Sequence, residues 1–223
     1  MPIRAIVFDF DGVLANSEPL HYQAFRDVLA DARVDLTEPD YYARYLGYDD
    51  VGAFRVIGRD RGQSWSEQFV ADLVAEKARR MELLEAEVSI LFPGAAETVR
   101  RAAQTMPVAI ASGALGAEIR RVLVRERLLD CFCAIVAAED TPKSKPSPDP
   151  YLHAVAQLNA QYGGSIAAHE CVAIEDSVWG LESARAAGLK TIGVAQTYAA
   201  EALTADWIIP SIANLDIERL CRE

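Results

Sequence analysis

Near its start the chain carries an apolar stretch, Ile3, Ala5, Ile6, Val7 and Phe8, that runs straight into Asp9-Phe10-Asp11-Gly12. A continuous apolar run that ends on a turn signal predicts a strand buried on both faces, as in a parallel sheet. The carboxyl ends of such strands are where open α/β sheets bind ligands. The two-residue period of a strand would send Asp9 and Asp11 to one side, near enough to share a hard cation. Carboxylates at the edge of a buried strand are costly unless a metal or hydrogen bonds compensate them.

From residue 17 the period lengthens to that of a helix. Ser17 is placed to cap one, with Glu18 and Pro19 favoured in its first turn. Leu20, Ala24, Phe25, Val28 and Leu29 form its apolar stripe. Thr37-Glu38-Pro39-Asp40 predicts a second cap and a short helix through Leu46, stopped by Gly47. Another helix is expected over 49–59. Ser64 and Glu67 read as a capping box before a long helix with Val70, Leu73, Val74, Met81 and Leu84 on one face. Pro93-Gly94 ends the helical region.

Beyond it strands and helices alternate. Residues 108–111 are a short strand ending in Ser112-Gly113, followed by a helix over 115–128; 134–137 form a strand before Glu139-Asp140. A Pro-rich loop, 142–150, leads a helix over 151–158. Residues 171–174 are a strand that runs into Glu175-Asp176-Ser177, with a helix through Ala187 and a Gly188 stop. Further strands are expected at 191–195 and 207–209. This alternation predicts a Rossmann-like parallel sheet with helices on both faces. The gap from 12 to 106 is far more than one crossover helix needs. The expected organisation is therefore an α/β core of residues 1–16 and 91–223, with an all-helical domain, 17–90, inserted where it would cover the ligand-binding edge as a lid.

Composition narrows the function classes. Thirty-three acidic against 22 basic residues give a net charge of −11, which argues against nucleic acid as a partner. No apolar run reaches the roughly 18 residues of a membrane span, and no basic-then-apolar leader opens the chain. The four cysteines (Cys131, Cys133, Cys171 and Cys221) fit no zinc spacing and read as reduced thiols. The expectation is a cytoplasmic protein, a monomer, with a small-molecule partner.

The chemistry lies in residues that a parallel sheet would gather at one edge. Asp9-Phe10-Asp11-Gly12 would open a calcium loop only after a helix and with ligands further on; a strand precedes it, and Ala15 and Asn16 follow. Ser112, Lys145, Glu175 and Asp176, by contrast, all fall at or just beyond later strand ends. Carboxylates, a lysine and a hydroxyl brought together suit a phosphate bound through Mg²⁺, the metal bridging anion to carboxylates.

Four motifs in this order carry a resemblance: DFDGVL at 9–14, ASG at 111–113, KPSPDPY at 145–151 and IEDSVWG at 174–180. Across essentially its full length the chain resembles haloacid dehalogenase (HAD) superfamily phosphohydrolases with a helical cap, in the β-phosphoglucomutase-like and phosphoglycolate-phosphatase-like branch. The resemblance implies a Mg²⁺-dependent phosphatase acting on a small phosphomonoester such as a sugar phosphate. Asp9 would be the nucleophile, forming an aspartyl-phosphate. Asp11 would be general acid and then base, with its backbone carbonyl on the metal. Ser112, Gly113 and Lys145 would hold the phosphoryl group; Asp9, Asp11, Glu175 and Asp176 would make up the metal site. Lys143 rivals Lys145, but the proline after Lys145 fits the motif.

His21, one turn into the first helix, and Ser17 are candidates for contacts at the hinge, His21 having also the bland reading of a partly exposed helix residue. The mutase pattern has a lysine where this chain has Leu46, and Asp49 and Asp50 follow. That departure favours hydrolysis over a hexose-phosphate mutase, which must grip a second phosphate. Arg44, Arg55 and Arg59 could meet a substrate anion or lie on the surface. A non-catalytic binding protein on the same scaffold is the third reading.

Overall fold

Strand β1 (Ala5–Phe8) is buried along its whole length because it is paired on both sides. The computed structural model describes residues 2–46, 48–162 and 165–222. Five further strands complete the sheet: β2 (Val108–Ala111), β3 (Ala134–Val136), β4 (Cys171–Glu175), β5 (Lys190–Val194) and β6 (Trp207–Ile209). Their order is β3-β2-β1-β4-β5-β6 and every pairing is parallel. Val7 stands beside Ala109 on one flank and Ala173 on the other. The chain builds outward from β1 in both directions, so the carboxyl ends of β1, β2 and β4 adjoin at the switch of strand order.

The chain divides into two units, Met1–Asn16 with Ile90–Glu223, and Ser17–Ser89. The two connections run side by side: Asn16 N–H donates to the Ile90 carbonyl at 2.7 Å and Phe92 N–H to that of Leu14 at 2.9 Å.

The second unit is helical: α1 (Glu18–Asp31), α2 (Glu38–Asp40) continued by a π-turn over Tyr41–Tyr45, α3 (Asp50–Asp60) and α4 (Glu67–Glu87). Phe25, Val28, Leu29, Phe54, Ile57 and Val70 share its core. Thr37 and Asp49 cap as expected of such residues, accepting from Asp40 N–H and Gly52 N–H. Two expectations need correction. Ser17 sits at the cap position of α1, but its backbone is already helical (φ −77°, ψ −22°) and its side chain makes no capping bond; capping needs the extended backbone that turns the oxygen back onto the amides. The cap of α4 is Ser66, accepting from Phe69 N–H at 3.2 Å, so Ser64 and Glu67 form no box. The helix stop assigned to Gly47 lies outside the described residues.

The sequence reading passed over a lysine on the buried stripe of α4. Lys77 is 2% exposed. Its Nζ lies 2.7 Å from His21 Nδ1, 2.6 Å from Asp50 Oδ1 and 4.7 Å from the centre of the Phe25 ring. An ammonium can only donate, so His21 accepts through Nδ1 and carries its proton on Nε2. Tyr41 donates to Glu18 nearby.

In the first unit, α5 (Ala95–Thr105) and α6 (Gly116–Arg125) flank β2, and α7 (Asp149–Tyr162) and α8 (Val178–Ala186) flank β4 in sequence. One sheet face packs Val7, Ala109 and Ala173 against Tyr151, Ala154 and Leu158 of α7. Small residues on the strands let the helix approach closely. The helix was expected over 151–158 and begins earlier, at Asp149. Strand β4 runs one residue further than expected and takes in Glu175.

Burial, with the Lys77 charge adding to it, lowers the His21 pKa to about 4; Asp50 and Glu85 act the other way. An unfolded histidine titrates near 6.5. Between these values the unfolded chain takes up a proton that the folded chain does not, so stability is lost as pH falls from about 6.5 towards 4. Urea unfolding of the protein and of His21→Gln at pH 7 and pH 5 should show a steeper loss in the unaltered chain. The difference is bounded by about 1.4 kcal/mol per pH unit, the limit for one proton; parallel losses would mean that His21 is already open to solvent.

Candidate active site

The strand carrying Asp9 stops at Phe8, and Asp9 N–H is held by the Ile174 carbonyl of β4 at 2.9 Å. This bond ties the end of β1 to the stretch that delivers Glu175 and Asp176. Carboxylate oxygens of Asp9, Glu175 and Asp176 come within 4.8 Å of one another, and all three residues are buried. Lys145 arrives from the loop before α7, with a cis peptide to Pro146. Its ammonium lies 2.8 Å from Asp9 Oδ1 and 2.6 Å from Glu175 Oε1, above the ring of Tyr151. Lys143, the rival, is exposed.

Glu175 is fully buried and saturated. Oε1 accepts from Lys145 and, at 2.9 Å, from the Tyr151 hydroxyl; Oε2 accepts from the amides of Asp176 and Ser177 and from Ser177 Oγ, at 3.1, 3.3 and 3.1 Å. Five donors on two oxygens make Glu175 an anchor for the lysine and for the turn into α8. Ser177 Oγ in turn accepts from Gly180 N–H at 3.0 Å, capping that helix.

The alternation expected to set the Asp11 carboxylate beside that of Asp9 does not hold. Its side chain is exposed, and its carboxylate is not part of the three-carboxylate group found among the described residues. The physical reason is that the chain leaves extended geometry: it bends at Phe10 and turns at Gly12, with φ +78°. The two-residue alternation that would align Asp9 with Asp11 ends with the strand. Gly12 also permits a close approach. A Cβ there would meet Asp176 Oδ2 at 2.1 Å, and one at Gly180 would meet Glu175 Oε1 at 1.8 Å.

Ser112 ends β2 in a buried position, its Oγ accepting from Ala114 N–H at 3.0 Å, and Gly113 beside it is exposed. Ser17 and His21 belong to the helical unit and were described there. Four contributors were missed by the sequence reading: Tyr151, Ser177, Gln196 and Thr197. Gln196 Nε2 donates to the carbonyls of Gly12 and Val13, both at 2.9 Å, and Thr197 Oγ1 to that of Gly12 at 3.3 Å. Thr197 also acts to lower the pKa of Asp176, against the larger effect of burial. Tyr151 and Ser177 stood inside quoted motifs; Gln196 and Thr197 had no local signal beyond following a strand end.

Three carboxylates share one ammonium, and the electrostatics show the excess. Burial first, then Glu175 beside it, raises the Asp9 pKa well above the usual carboxylate range, against the pull of Lys145. Burial and Glu175 likewise bring Asp176 to about 6. Burial works against the Lys145 charge, but Asp9 and Glu175 outweigh it and its pKa is raised. An all-oxygen donor set with surplus negative charge fits a hard divalent cation, and Asp9 and Asp176 are the carboxylates with capacity to hold it.

Three outcomes follow. Mg²⁺ binding to the folded chain alone should raise its melting temperature, increasingly with concentration. Asp176→Asn should raise the melting temperature of the metal-free protein, by relieving repulsion, and abolish the Mg²⁺ response; a response that survives would place the ion elsewhere. Gly180→Ala should destabilise by about 1–3 kcal/mol in denaturant unfolding, the usual cost of overpacking.

A family model described as haloacid dehalogenase-like hydrolase matches residues 3–188. The protein CbbY of Rhodobacter capsulatus is 33% identical over 224 residues, 96% of this chain and 95% of that protein. Hexitol phosphatase B of Escherichia coli (strain K12) is 35% identical over 194 residues, 86% of this chain and 83% of that one. Among solved structures, CbbY from Rhodobacter sphaeroides in complex with phosphate superimposes with a TM-score of 0.76 at 29% identity, covering 96% of both chains. The six-stranded parallel sheet, the helical insertion after β1 and the four strand-end motifs agree with these matches: the chain belongs to the haloacid dehalogenase-like hydrolases.

Proposed function

We propose that this hydrolase is a Mg²⁺-dependent phosphatase of small phosphorylated metabolites, sugar phosphates among them, working through an aspartyl-phosphate on Asp9. The observation that carries the proposal is the buried Asp9–Lys145–Glu175 contact with Asp176 alongside. It offers a nucleophile, a cation for the phosphoryl oxygens and carboxylates for a metal. The bound Mg²⁺ would supply charge neutralisation for the phosphate, held by Asp9, Asp176 and the Asp11 backbone carbonyl.

The remaining steps belong to the chain's own residues. An Asp9 oxygen attacks phosphorus and the bond to the leaving oxygen breaks. Asp11, exposed and so able to exchange protons with solvent, gives that oxygen its proton and later takes one from the water that hydrolyses the acyl phosphate. Lys145, Ser112 Oγ and the Gly113 amide hold the phosphoryl oxygens, where charge compensation and positioning do most of the catalytic work. Glu175 keeps the lysine in place. The helical unit would serve as the cap, and four cysteines with no disulfide between them accord with a cytoplasmic setting.

Mutase chemistry is the second reading, since β-phosphoglucomutase of Bacillus subtilis (strain 168) is 25% identical over 228 residues. The head of α3 speaks against it here. Leu46 is exposed, Asp49 is used as a helix cap, and Asp50 engages Lys77. Arg44 and Arg55 are paired with Asp60 and Glu67.

Phosphate release from a panel of phosphomonoesters should require Mg²⁺ and cease with EDTA. Asp9→Asn should lower kcat by at least about 10³-fold and Asp11→Asn by about 10²–10⁴-fold. Unchanged turnover in Asp9→Asn would refute the mechanism, and turnover that appears only with a sugar bisphosphate present would favour the mutase.

A further inference from the structure

Trp179 is the second residue of α8, directly beyond Glu175-Asp176-Ser177, and its indole is 59% exposed. A single exposed aromatic is ordinary. This one is not isolated: it walls a pocket of about 270 Å³ whose lining includes Ser112, Gly113 and Lys145, with Pro150 and Ser144 beside them. The residues assigned to the phosphoryl group and the exposed indole thus border one space, all within the sheet unit. Asp9 does not line it. A phosphoryl group held by Ser112, Gly113 and Lys145 would have its ester substituent within reach of the Trp179 face.

We propose that Trp179 is a specificity-determining residue, its indole forming an apolar platform for the leaving group of a phosphorylated hexose. The inference rests on the phosphatase reading above and names the substrate class of that site. The pocket, at about 270 Å³, lies just below the usual size of small-molecule sites, roughly 300–1,000 Å³, and has room for one sugar ring. A rigid indole presents a flat apolar face at little entropic cost and can cover the C–H face of a sugar ring. The Ser144 hydroxyl, exposed on the same wall, can meet the sugar's hydroxyls. A two-carbon ester such as phosphoglycolate is too short to use the platform, so Trp179 separates the two by size and by apolar contact.

The test compares kcat and KM of the unaltered protein, Trp179→Ala and Trp179→Phe on glucose 6-phosphate, fructose 1-phosphate and phosphoglycolate with Mg²⁺. In Trp179→Ala the ratio of kcat/KM for the hexose phosphates to that for phosphoglycolate should fall about tenfold, the scale of one lost apolar contact. The change should sit in KM, and Trp179→Phe should restore most of it. As a second readout, Asp9→Asn should show indole fluorescence quenched by a hexose phosphate, and the quenching should be absent from Asp9→Asn/Trp179→Phe. An equal loss on all three esters, or no change in the ratio, would overturn the inference while leaving the phosphatase standing. Failure of the unaltered protein to hydrolyse any of them would overturn the phosphatase reading and the inference with it.

Discussion

The contact on which the site depends is one ammonium placed between two carboxylates from different strands. Lys145 holds Asp9 at the end of β1 and Glu175 at the end of β4, at 2.8 and 2.6 Å. Burying these groups is tolerable only because each is paired and hydrogen-bonded. The pairing is incomplete by design of the sequence, for Asp176 adds a third carboxylate with no second cation from the described residues to meet it. Folding therefore leaves a site with surplus negative charge, a donor set that fits a hard divalent cation. The same surplus that weighs on the metal-free fold would favour a cation in the proposed site. A second protein cation in this position would have settled the fold and removed the chemistry.

What makes this density of polar groups possible is backbone without side chains at two positions. Gly12 and Gly180 stand where a Cβ would strike the carboxylates of Asp176 and Glu175. Each carboxylate consequently lies against main chain and can draw on its amides. Ser177 links the two requirements: its hydroxyl donates to Glu175 Oε2 and accepts from Gly180 N–H. The start of α8 and the position of Glu175 are thereby one arrangement, and the Trp179 ring one residue earlier in that first turn inherits its placement from it.

The sheet, the helical insertion and the gathering of Asp9, Ser112, Lys145, Glu175 and Asp176 at one edge were legible in the sequence, for a definite reason. Apolar runs of four or five residues ending in polar ones specify buried parallel strands, and parallel strands carry their ends to a common edge. The alternation argument did not carry as far as Asp11, because it holds only while the strand lasts and β1 ends at Phe8. The cap at Ser66 in place of Ser64 turned on two residues of register, which local spacing cannot fix. Lys77 was passed over because a charged residue within an apolar stripe reads as an interruption. Only the tertiary partners, Asp50 from α3 and His21 from α1, make its burial intelligible. Gln196 and Thr197 hold the turn at Gly12 through backbone carbonyls, a contact type that leaves no pattern in sequence.

Lys77, which is buried, and Lys145, which is largely so, show opposite balances, and the difference bears on the chemistry. Around Lys145 the carboxylates outnumber the cation and leave room for a metal and for the phosphate it brings. Lys77 is answered by Asp50 at 2.6 Å, and its remaining neighbours are the neutral His21 imidazole and the Phe25 ring. Its charge is therefore spent within the helical unit. A mutase must hold a second phosphate while its intermediate turns over, and that task needs a cation free of such a partner. A phosphatase needs only one phosphate gripped and one leaving group oriented. Engaged in this way, Lys77 is not available to a second phosphate, which accords with the hydrolysis proposed above.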